Sequence, residues 1–172
     1  QASNMTVVPV VIDEVVLVNE GLLLRAWDRL TGRVKWARSF GLSTGVRPSG
    51  SIGDMGEVVA HGNAAVTVVG HAYGGGRDGS GEVIRFNPTT SVERWRARPS
   101  RLLASEDLKE AFVSGPPMIL NELVIVPLRK VNTRLETVDF VAGLDLESGA
   151  TRWVQAIASS GGVRMGSNRP FN

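Results

Sequence analysis

Three glycines near the middle of the chain have the spacing of a dinucleotide-binding fingerprint. Gly74, Gly76 and Gly79 form the pattern G-x-G-x-x-G. In that fingerprint a strand precedes the glycines and a helix follows them, so that phosphate meets the N-terminus of the helix. Here a predicted strand, Glu82 to Phe86, follows the glycines. We therefore interpret them as a flexible hairpin loop that holds no nucleotide.

The remaining residues that could do chemistry are few. Asp78, Ser80 and Glu82 alternate in the same loop, but calcium takes six to eight oxygen ligands. His61 and His71 flank an apolar strand, and neither has a serine or a paired carboxylate nearby in the sequence. The chain has no cysteine, which excludes thiolate metal sites and cysteine nucleophiles. The sequence thus predicts no catalytic residue, no metal ligand and no bound cofactor.

Two arginines occupy equivalent positions. Arg47 and Arg164 each follow Gly-Val, eleven residues beyond a tryptophan. Their guanidinium groups could hold an anionic ligand. Alternatively, they cap backbone carbonyls in a repeated turn, and we favour this interpretation because recurring positions in repeat arrays are usually architectural.

Composition excludes several classes of protein. Of the 172 residues, 42% are apolar and 21% are charged, as in globular domains. No apolar run approaches the ~18 residues that span a bilayer, so we expect no direct membrane insertion. The net charge is only +2, and the basic residues are scattered apart from RWRARPSR at 94–101. A nucleic-acid surface would be more densely basic, so we expect no nucleic-acid partner.

The sequence contains an internal repeat, which indicates the structural elements that hold the residues discussed above. Three segments align without gaps: AWDRLTGRVKW (26–36), RFNPTTSVERW (85–95) and GLDLESGATRW (143–153). Each has Asp or Asn at its third position and a tryptophan eight residues later. The tryptophans Trp36, Trp95 and Trp153 stand 59 and 58 residues apart. A fixed period of this kind indicates repeated supersecondary units.

A second block precedes each segment: PVVIDEVVLV from residue 9, VAHGNAAVTV from 59 and PMILNELVIV from 117. Apolar runs on both sides of a turn residue (Asp13, Asn63 and Asn121) predict a pair of strands. In the second and third units, nine extra residues follow these strands and are predicted to form long edge loops at 73–81 and 129–137. Each unit is therefore expected to contain four strands.

These units predict an all-β fold of β-propeller blades, in which three four-stranded antiparallel sheets form an open arc or part of a larger ring. The blades are expected at about 7–40, 57–98 and 115–157. An insert at 99–114 contains a short helix over 105–112, N-capped by Ser105. Residues 158–172 are expected to begin a further repeat.

The tight turn explains the repeated motif physically. Asp28 ends a strand, and its carboxylate is expected to accept hydrogen bonds from turn amides, while Gly32 supplies a residue with positive φ. In the second unit Asn87 begins the turn and Ser91 replaces the glycine. We expect that turn to be strained or differently shaped. Trp36 then lies on the following strand, where it can pack against a neighbouring blade.

The first segment resembles the docking pattern A-x-D-x-x-T-G-x-x-x-W of the PQQ-like (quinoprotein-like) propeller family. It matches at every defined position: Ala26, Asp28, Thr31, Gly32 and Trp36. The third segment keeps Asp145, Gly149 and Trp153, and the second keeps Thr90 and Trp95 with Asn87 as a near match. The resemblance covers about residues 7–155. It implies that the tryptophan of one blade docks on the next.

The family contains enzymes and proteins without catalytic activity, and the docking pattern is common to both. Its dehydrogenases bind pyrroloquinoline quinone and calcium, many through adjacent cysteines, which this chain lacks. Non-catalytic members such as the outer-membrane barrel-assembly lipoprotein bind partners. We therefore expect a fragment of about three blades that serves as a scaffold or as a protein- or ligand-binding segment, in the periplasm or secreted. The alternatives are part of a PQQ-dependent dehydrogenase whose cofactor site lies in other blades, and an extracytoplasmic sensor domain of a membrane kinase.

The two end sheets of such an array would present apolar faces to solvent. If each face exposes ~400 Å², its burial contributes ~10 kcal/mol at ~25 cal/mol per Å². We therefore expect these faces to be covered by other blades of the same propeller, by another protein subunit or by self-association.

Overall fold

Three consecutive antiparallel sheets make up the structure, a computed structural model that describes residues 8–21, 23–40, 57–70, 81–102, 108–131 and 136–160. The first sheet contains β1 (Val10–Ile12), β2 (Val15–Asn19), β3 (Leu23–Asp28) and β4 (Val34–Ser39). The second contains β5 (Val59–His61), β6 (Ala64–Val69), β7 (Glu82–Phe86) and β8 (Glu93–Ala97). The third contains β9 (Phe112–Val113), β10 (Met118–Leu120), β11 (Leu123–Val131), β12 (Thr137–Asp145) and β13 (Thr151–Ser160).

Four strands of each sheet lie in chain order, each paired with the next. This order is the up-and-down arrangement of a propeller blade, because strands that follow one another in the chain pair as antiparallel neighbours. The predicted fold class is therefore confirmed. The third sheet differs by one strand, since β9 pairs with β11 through Val113 and Leu128.

The hairpin of β11 and β12 is longer than the sequence suggested. Both strands are nine residues long, and their pairing continues from Leu123 opposite Asp145 to Val131 opposite Thr137. The loop predicted at 129–137 is therefore wrong at Arg129, Lys130, Val131 and Thr137, which belong to strands. Polar residues in this stretch concealed the strands, because a strand outside the buried core needs no apolar alternation. The other predicted loop, at 73–81, lies outside the described residues except for Gly81.

The turn between the first two strands of each sheet contains a residue in the left-handed conformation. Asp13 has φ 47° and Asn121 has φ 54°, as expected for the two residue types besides glycine that tolerate this region best. In the second sheet the corresponding residue is Gly62, with φ 54°, and the predicted turn residue Asn63 follows it in the same turn. Glycine supplies the left-handed residue of this turn one position before Asn63, and β6 begins directly after Asn63.

The insert between the second and third sheets contains a 3-10 turn at Pro99–Arg101. The helix predicted over 105–112 does not reach its expected end, because Phe112 belongs to β9. Ser105, its predicted N-cap, lies outside the described residues. Leu102, Leu108 and Val113 are buried in the same core as residues of the second and third sheets. The insert thus packs onto its own blades.

The second sheet is covered on both faces, which its alternating side chains show directly. Ala64, Val66 and Val68 of β6 join the third sheet in one core, where Val124, Val126, Leu128 and Leu144 are fully buried. Ala65 and Val69, together with Ile84 and Phe86 of β7, join the first sheet in a second core with Leu17, Leu24 and Ala26. Successive strand residues point to opposite faces, so one strand contributes to two cores.

Candidate functional site: turns and tryptophans between the blades

The turn after β3 is organised by one carboxylate. Oδ1 of Asp28 accepts hydrogen bonds from the backbone N–H of Thr31 at 2.8 Å and of Leu30 at 3.1 Å. The Thr31 hydroxyl donates a third hydrogen bond at 2.9 Å. The Thr31 hydrogen bonds are the main cause that lowers the pKa of Asp28, because they stabilise the charged form. Asp28 is thus committed to the turn.

Asp145 has the same role in the third blade. Its Oδ1 accepts hydrogen bonds from the Ser148 N–H at 2.8 Å and the Ser148 hydroxyl at 2.7 Å. Arg152 donates to Oδ2 at 2.7 Å and, with Ser148, holds the pKa of Asp145 well below its usual range. In the second blade, the amide oxygen of Asn87 accepts from Thr89 and Thr90. An uncharged oxygen therefore suffices for the turn geometry.

All three turns close through the same backbone pattern. The N–H of Gly32, Ser91 or Gly149 donates to the carbonyl of Asp28, Asn87 or Asp145 at 2.8–2.9 Å. These donors have φ of 67°, 60° and 71°, respectively. The turn at Ser91 thus has the same shape as the two glycine turns. It is strained, as one of the two predicted outcomes had it, because a side chain at positive φ crowds the backbone.

Each of the first two repeated tryptophans contacts the turn of the next blade. Trp36 Nε1 donates to the Pro88 carbonyl at 2.9 Å, and Trp95 Nε1 donates to the Leu146 carbonyl at 2.8 Å. Trp36 also meets the ring of Phe86 edge-on, with centroids 6.0 Å apart. A buried indole N–H needs such an acceptor, and these carbonyls supply it at the same turn position in both blades.

Gly149 lies directly under the Trp95 ring. A Cβ placed there would come within 2.6 Å of Trp95 Cδ2, closer than carbon atoms can approach. This turn glycine therefore serves two purposes, a positive φ and space for the indole of the preceding blade. Gly32, its counterpart in the first blade, has open space around its Cα.

Trp153 packs on its own sheet. A Cβ on Gly143, its cross-strand partner, would overlap the indole, and 40% of the Trp153 surface is exposed. Ala26 is the corresponding cross-strand partner of Trp36 and is fully buried. The small residue that begins two of the three repeated segments therefore makes room for the ring on the adjacent strand.

Among the polar contacts between blades that were not predicted from the sequence, two have buried donors. Arg85, 4% exposed, donates to both carboxylate oxygens of Glu147 in the next blade at 2.8 and 3.1 Å. Asn19, 2% exposed, donates to the Thr67 hydroxyl and the Val68 carbonyl of the second sheet, both at 2.8 Å. An asparagine that ends the apolar run VVLVN was the available signal for the second contact.

Glu82 also forms ion pairs within the second blade. It is 2% exposed, and its carboxylate binds Arg98 at 2.7 Å and Arg96 at 2.5 Å. These arginines line an open cavity of about 470 Å³ between the second and third blades, together with Arg101, Gly149 and Thr151. A calcium site that uses Glu82 is therefore disfavoured, because two guanidinium groups already neutralise the carboxylate.

The other residues considered in the sequence are placed as follows. His61 ends β5 and is exposed. Gly74, Gly76, Gly79, Asp78, Ser80, His71, Arg47 and Arg164 lie outside the described residues. Within the described ranges no helix is long and apolar enough to cross a membrane.

The described residues contain no candidate metal site. Among them, no three His, Cys, Asp or Glu side chains come together as a metal site would require. Asp28, Asp145 and Glu82 have their oxygens engaged by turn amides, hydroxyls or arginines. The turns, tryptophans and ion pairs described above fix one blade against the next.

Comparison with known proteins supports the fold. No protein-family model and no curated protein matches the sequence. Among solved structures, 86% of the chain aligns with a europium-containing methanol dehydrogenase at TM-score 0.59 and 14% identity, covering 24% of that enzyme. Quinohemoprotein alcohol dehydrogenases from Pseudomonas putida (TM-score 0.58, 15% identity) and Comamonas testosteroni (0.60, 18%) align over the same share of this chain and 20% of their own. The chain thus spans about a fifth to a quarter of these enzymes, and it has the fold of quinoprotein-like propeller blades.

Proposed function

We propose that this chain is a non-catalytic scaffold or binding segment of a PQQ-like β-propeller that acts outside the cytoplasm. The repeated tryptophans Trp36 and Trp95 act as docking residues that set one blade against the next. The extracytoplasmic location rests on the resemblance of the repeated motif to that family.

One observation carries the proposal: polar groups that recur in the repeat are used for structure. Asp28, Asn87 and Asp145 bind their own turns, and Arg85 joins Glu147 across a blade interface. A catalytic acid or base needs access to substrate and a proton to exchange. The hydrogen bonds that lower the pKa values of Asp28 and Asp145 move both carboxyl groups further from proton exchange near neutral pH.

The extended hairpin of β11 and β12 is the proposed contact surface. Its outer part has no counterpart in the first sheet, where β2 and β3 are five and six residues long. Arg129 and Asp139 pair there at 2.7 Å across the two strands, with Arg129 46% exposed. A rigid element that projects from a packed scaffold is suited to binding, since little entropy is lost when a partner docks.

A second candidate is part of a PQQ-dependent dehydrogenase whose cofactor site lies in other blades. The specific observation in its favour is that the three similar structures described above are dehydrogenases. Because the chain covers at most 24% of any of them, a blade array of this size can belong to an enzyme without carrying its site.

Addition of pyrroloquinoline quinone with calcium to the complete propeller that contains these blades separates the two proposals, because the second candidate places the cofactor site in the other blades. The scaffold proposal expects no cofactor absorbance in the protein fraction after gel filtration, at cofactor concentrations up to about 1 mM. Retention of stoichiometric cofactor by the complete propeller would overturn it and favour the dehydrogenase. Bovine serum albumin in the same buffer controls for non-specific adsorption of the quinone.

A further inference from the structure

The cavity between the second and third blades has a filled counterpart between the first and second blades. Arg38 and Ala97 hold equivalent positions, because each lies two residues after the repeated tryptophan of its blade. Their cross-strand partners, Leu24 and Val83, are buried in the core that each blade shares with the next one. Arg38 and Ala97 therefore lie on the side of the outer strand that faces the next blade.

In the first interface an arginine side chain occupies this place. Arg38 Nη1 donates a hydrogen bond of 2.5 Å to the carbonyl of Ser91, which belongs to the turn of the next blade. The same guanidinium lies over the ring of Phe40, 4.8 Å from its centroid, as in a cation–π contact. One side chain thus bridges the space between the outer strand and the neighbouring turn.

In the second interface the same place is open. Ala97 stands where Arg38 stands, so the methyl group ends far short of the next turn. The carbonyl equivalent to that of Ser91 belongs to Gly149, since both residues close their turns with positive φ. Ala97 and Gly149 both line the cavity of about 470 Å³. The short side chain at this repeat position therefore accounts for the cavity.

Arginine side chains make the cavity electropositive. Arg96, Arg98 and Arg101 contribute to its lining, and among the described residues no carboxylate does. Glu82 and Glu93 pair with Arg96 and Arg98. These three guanidinium groups and two carboxylates leave one net positive charge. Arg101, which is exposed at the end of the 3-10 turn, is the arginine best placed to meet a ligand from solvent.

The turn that forms the opposite wall adds no net charge. Asp145 is paired with Arg152, and Glu147 is paired with Arg85. Thr151, which follows this turn, brings a hydroxyl-bearing side chain to the lining. The cavity thus offers a cation on one side and neutral polar groups on the other, a combination that suits an anion with further polar groups.

We propose that this cavity binds a small hydroxy acid, a molecule that carries both a carboxylate and a hydroxyl group. The carboxylate accepts hydrogen bonds from the Arg101 guanidinium. The hydroxyl donates to the Gly149 carbonyl, as the Arg38 guanidinium donates to the equivalent carbonyl in the first interface. The inference goes beyond the proposed function, because the blades of a scaffold or of an enzyme could hold such a ligand.

Titration of the ¹⁵N-labelled 172-residue chain with citrate, followed by ¹H–¹⁵N correlation NMR, tests the site. The amide signals of residues 149–151 are expected to shift saturably, with a Kd of about 1 mM or below. The amides of residues 32–34, at the equivalent positions of the first turn, should stay unmoved. Tricarballylate has the carboxylates of citrate without the hydroxyl, and it should bind at least about 5-fold more weakly.

Two substitutions separate a defined site from a general attraction of anions. Arg101→Gln removes the cation and should weaken citrate binding at least about 5-fold. Ala97→Arg adds a positive charge but fills the cavity as Arg38 fills the first interface, so binding should fall at least about 10-fold. Arg29→Gln is the matched control for charge, since Arg29 is exposed and lies outside the cavity; its affinity for citrate should equal that of wild type.

Far-UV circular dichroism verifies that the variants are folded. If Ala97→Arg does not fold, Arg101→Glu replaces it and is expected to abolish binding by charge repulsion. The proposal is overturned if residues 149–151 show no saturable shift up to about 10 mM citrate, or if residues 32–34 shift equally. It is also overturned if Ala97→Arg binds citrate more tightly than wild type, or if Arg29→Gln loses as much affinity as Arg101→Gln.

Discussion

The indole N–H of Trp95 donates a hydrogen bond of 2.8 Å to the carbonyl of Leu146, 51 residues further along the chain. The same ring covers Gly149 at the other end of that turn. One side chain therefore holds both a polar and an apolar contact with the next blade. This double contact makes the repeated tryptophan the residue on which the interface between the second and third blades most depends.

Replacement of Trp95 by alanine is expected to lower the free energy of unfolding by about 3–5 kcal/mol, because it leaves a cavity and an unpaired carbonyl. Trp95→Phe keeps most of the apolar contact and should cost roughly half as much, by the same cavity reasoning. Urea unfolding at low protein concentration measures both values. Trp153→Ala is the control, expected to cost clearly less because 40% of the Trp153 surface is exposed. Equal costs at the two tryptophans would contradict the role assigned to Trp95.

Ser91→Gly is expected to stabilise the protein by about 0.5–1 kcal/mol, because glycine adopts a φ of 60° without steric cost. The reverse change, Gly32→Ser, should destabilise by about 1 kcal/mol through backbone strain alone. Gly149→Ser should cost more, since the added Cβ would also collide with Trp95. Thermal unfolding of the three variants gives the order. Identical losses for Gly32→Ser and Gly149→Ser would show that the indole does not lie on this turn.

Glu82→Gln is expected to lower stability by about 1–3 kcal/mol, because it removes the buried negative charge that pairs with Arg96 and Arg98, while Arg96 keeps its ion pair with Glu93. The matched change is Asp139→Asn, which breaks the exposed pair with Arg129 and should cost less than about 1 kcal/mol. Chemical denaturation at two salt concentrations checks both expectations. A Glu82→Gln variant as stable as wild type would mean that the arginines find other partners.

Acid is expected to destabilise the protein through Asp28 and Asp145. Hydrogen bonds from Thr31, and from Arg152 and Ser148, hold the two pKa values below the ordinary value of 3.8 in the folded state. A lowered folded-state pKa contributes stability that is present above pH 3.8 and is lost as the pH falls below it. The double variant Asp28→Asn/Asp145→Asn keeps the turn acceptors, as Asn87 does. Its Tm should therefore fall less than that of wild type between about pH 5 and pH 2, and an equal fall would place the acid sensitivity elsewhere.

The tryptophan period was sufficient to predict the three sheets, because each Trp lies at a fixed distance from a turn that the strands on both sides must form. The pattern could not reveal the partners of Glu82, since Arg96 and Arg98 lie in a basic stretch that reads equally well as a solvated surface. It also missed β9 and the outer part of β11 and β12, where a polar hairpin resembles a loop until its pairing is known. In the second sheet, the sequence could not show which residue of the turn, Gly62 or Asn63, takes the left-handed conformation. Apolar periodicity does not resolve a difference of one position.

The short strand β9 has a consequence for aggregation. It pairs with Leu128 and Arg129 on the same side of β11 on which β10 pairs with residues 123–125. Most of the free side of β11 is thereby occupied by two short partners, whose own outer edges are only two and three residues long. An unpaired nine-residue strand would be a template for amyloid-like growth. The insert that supplies β9 therefore protects this edge of the third blade from recruiting strands of other molecules.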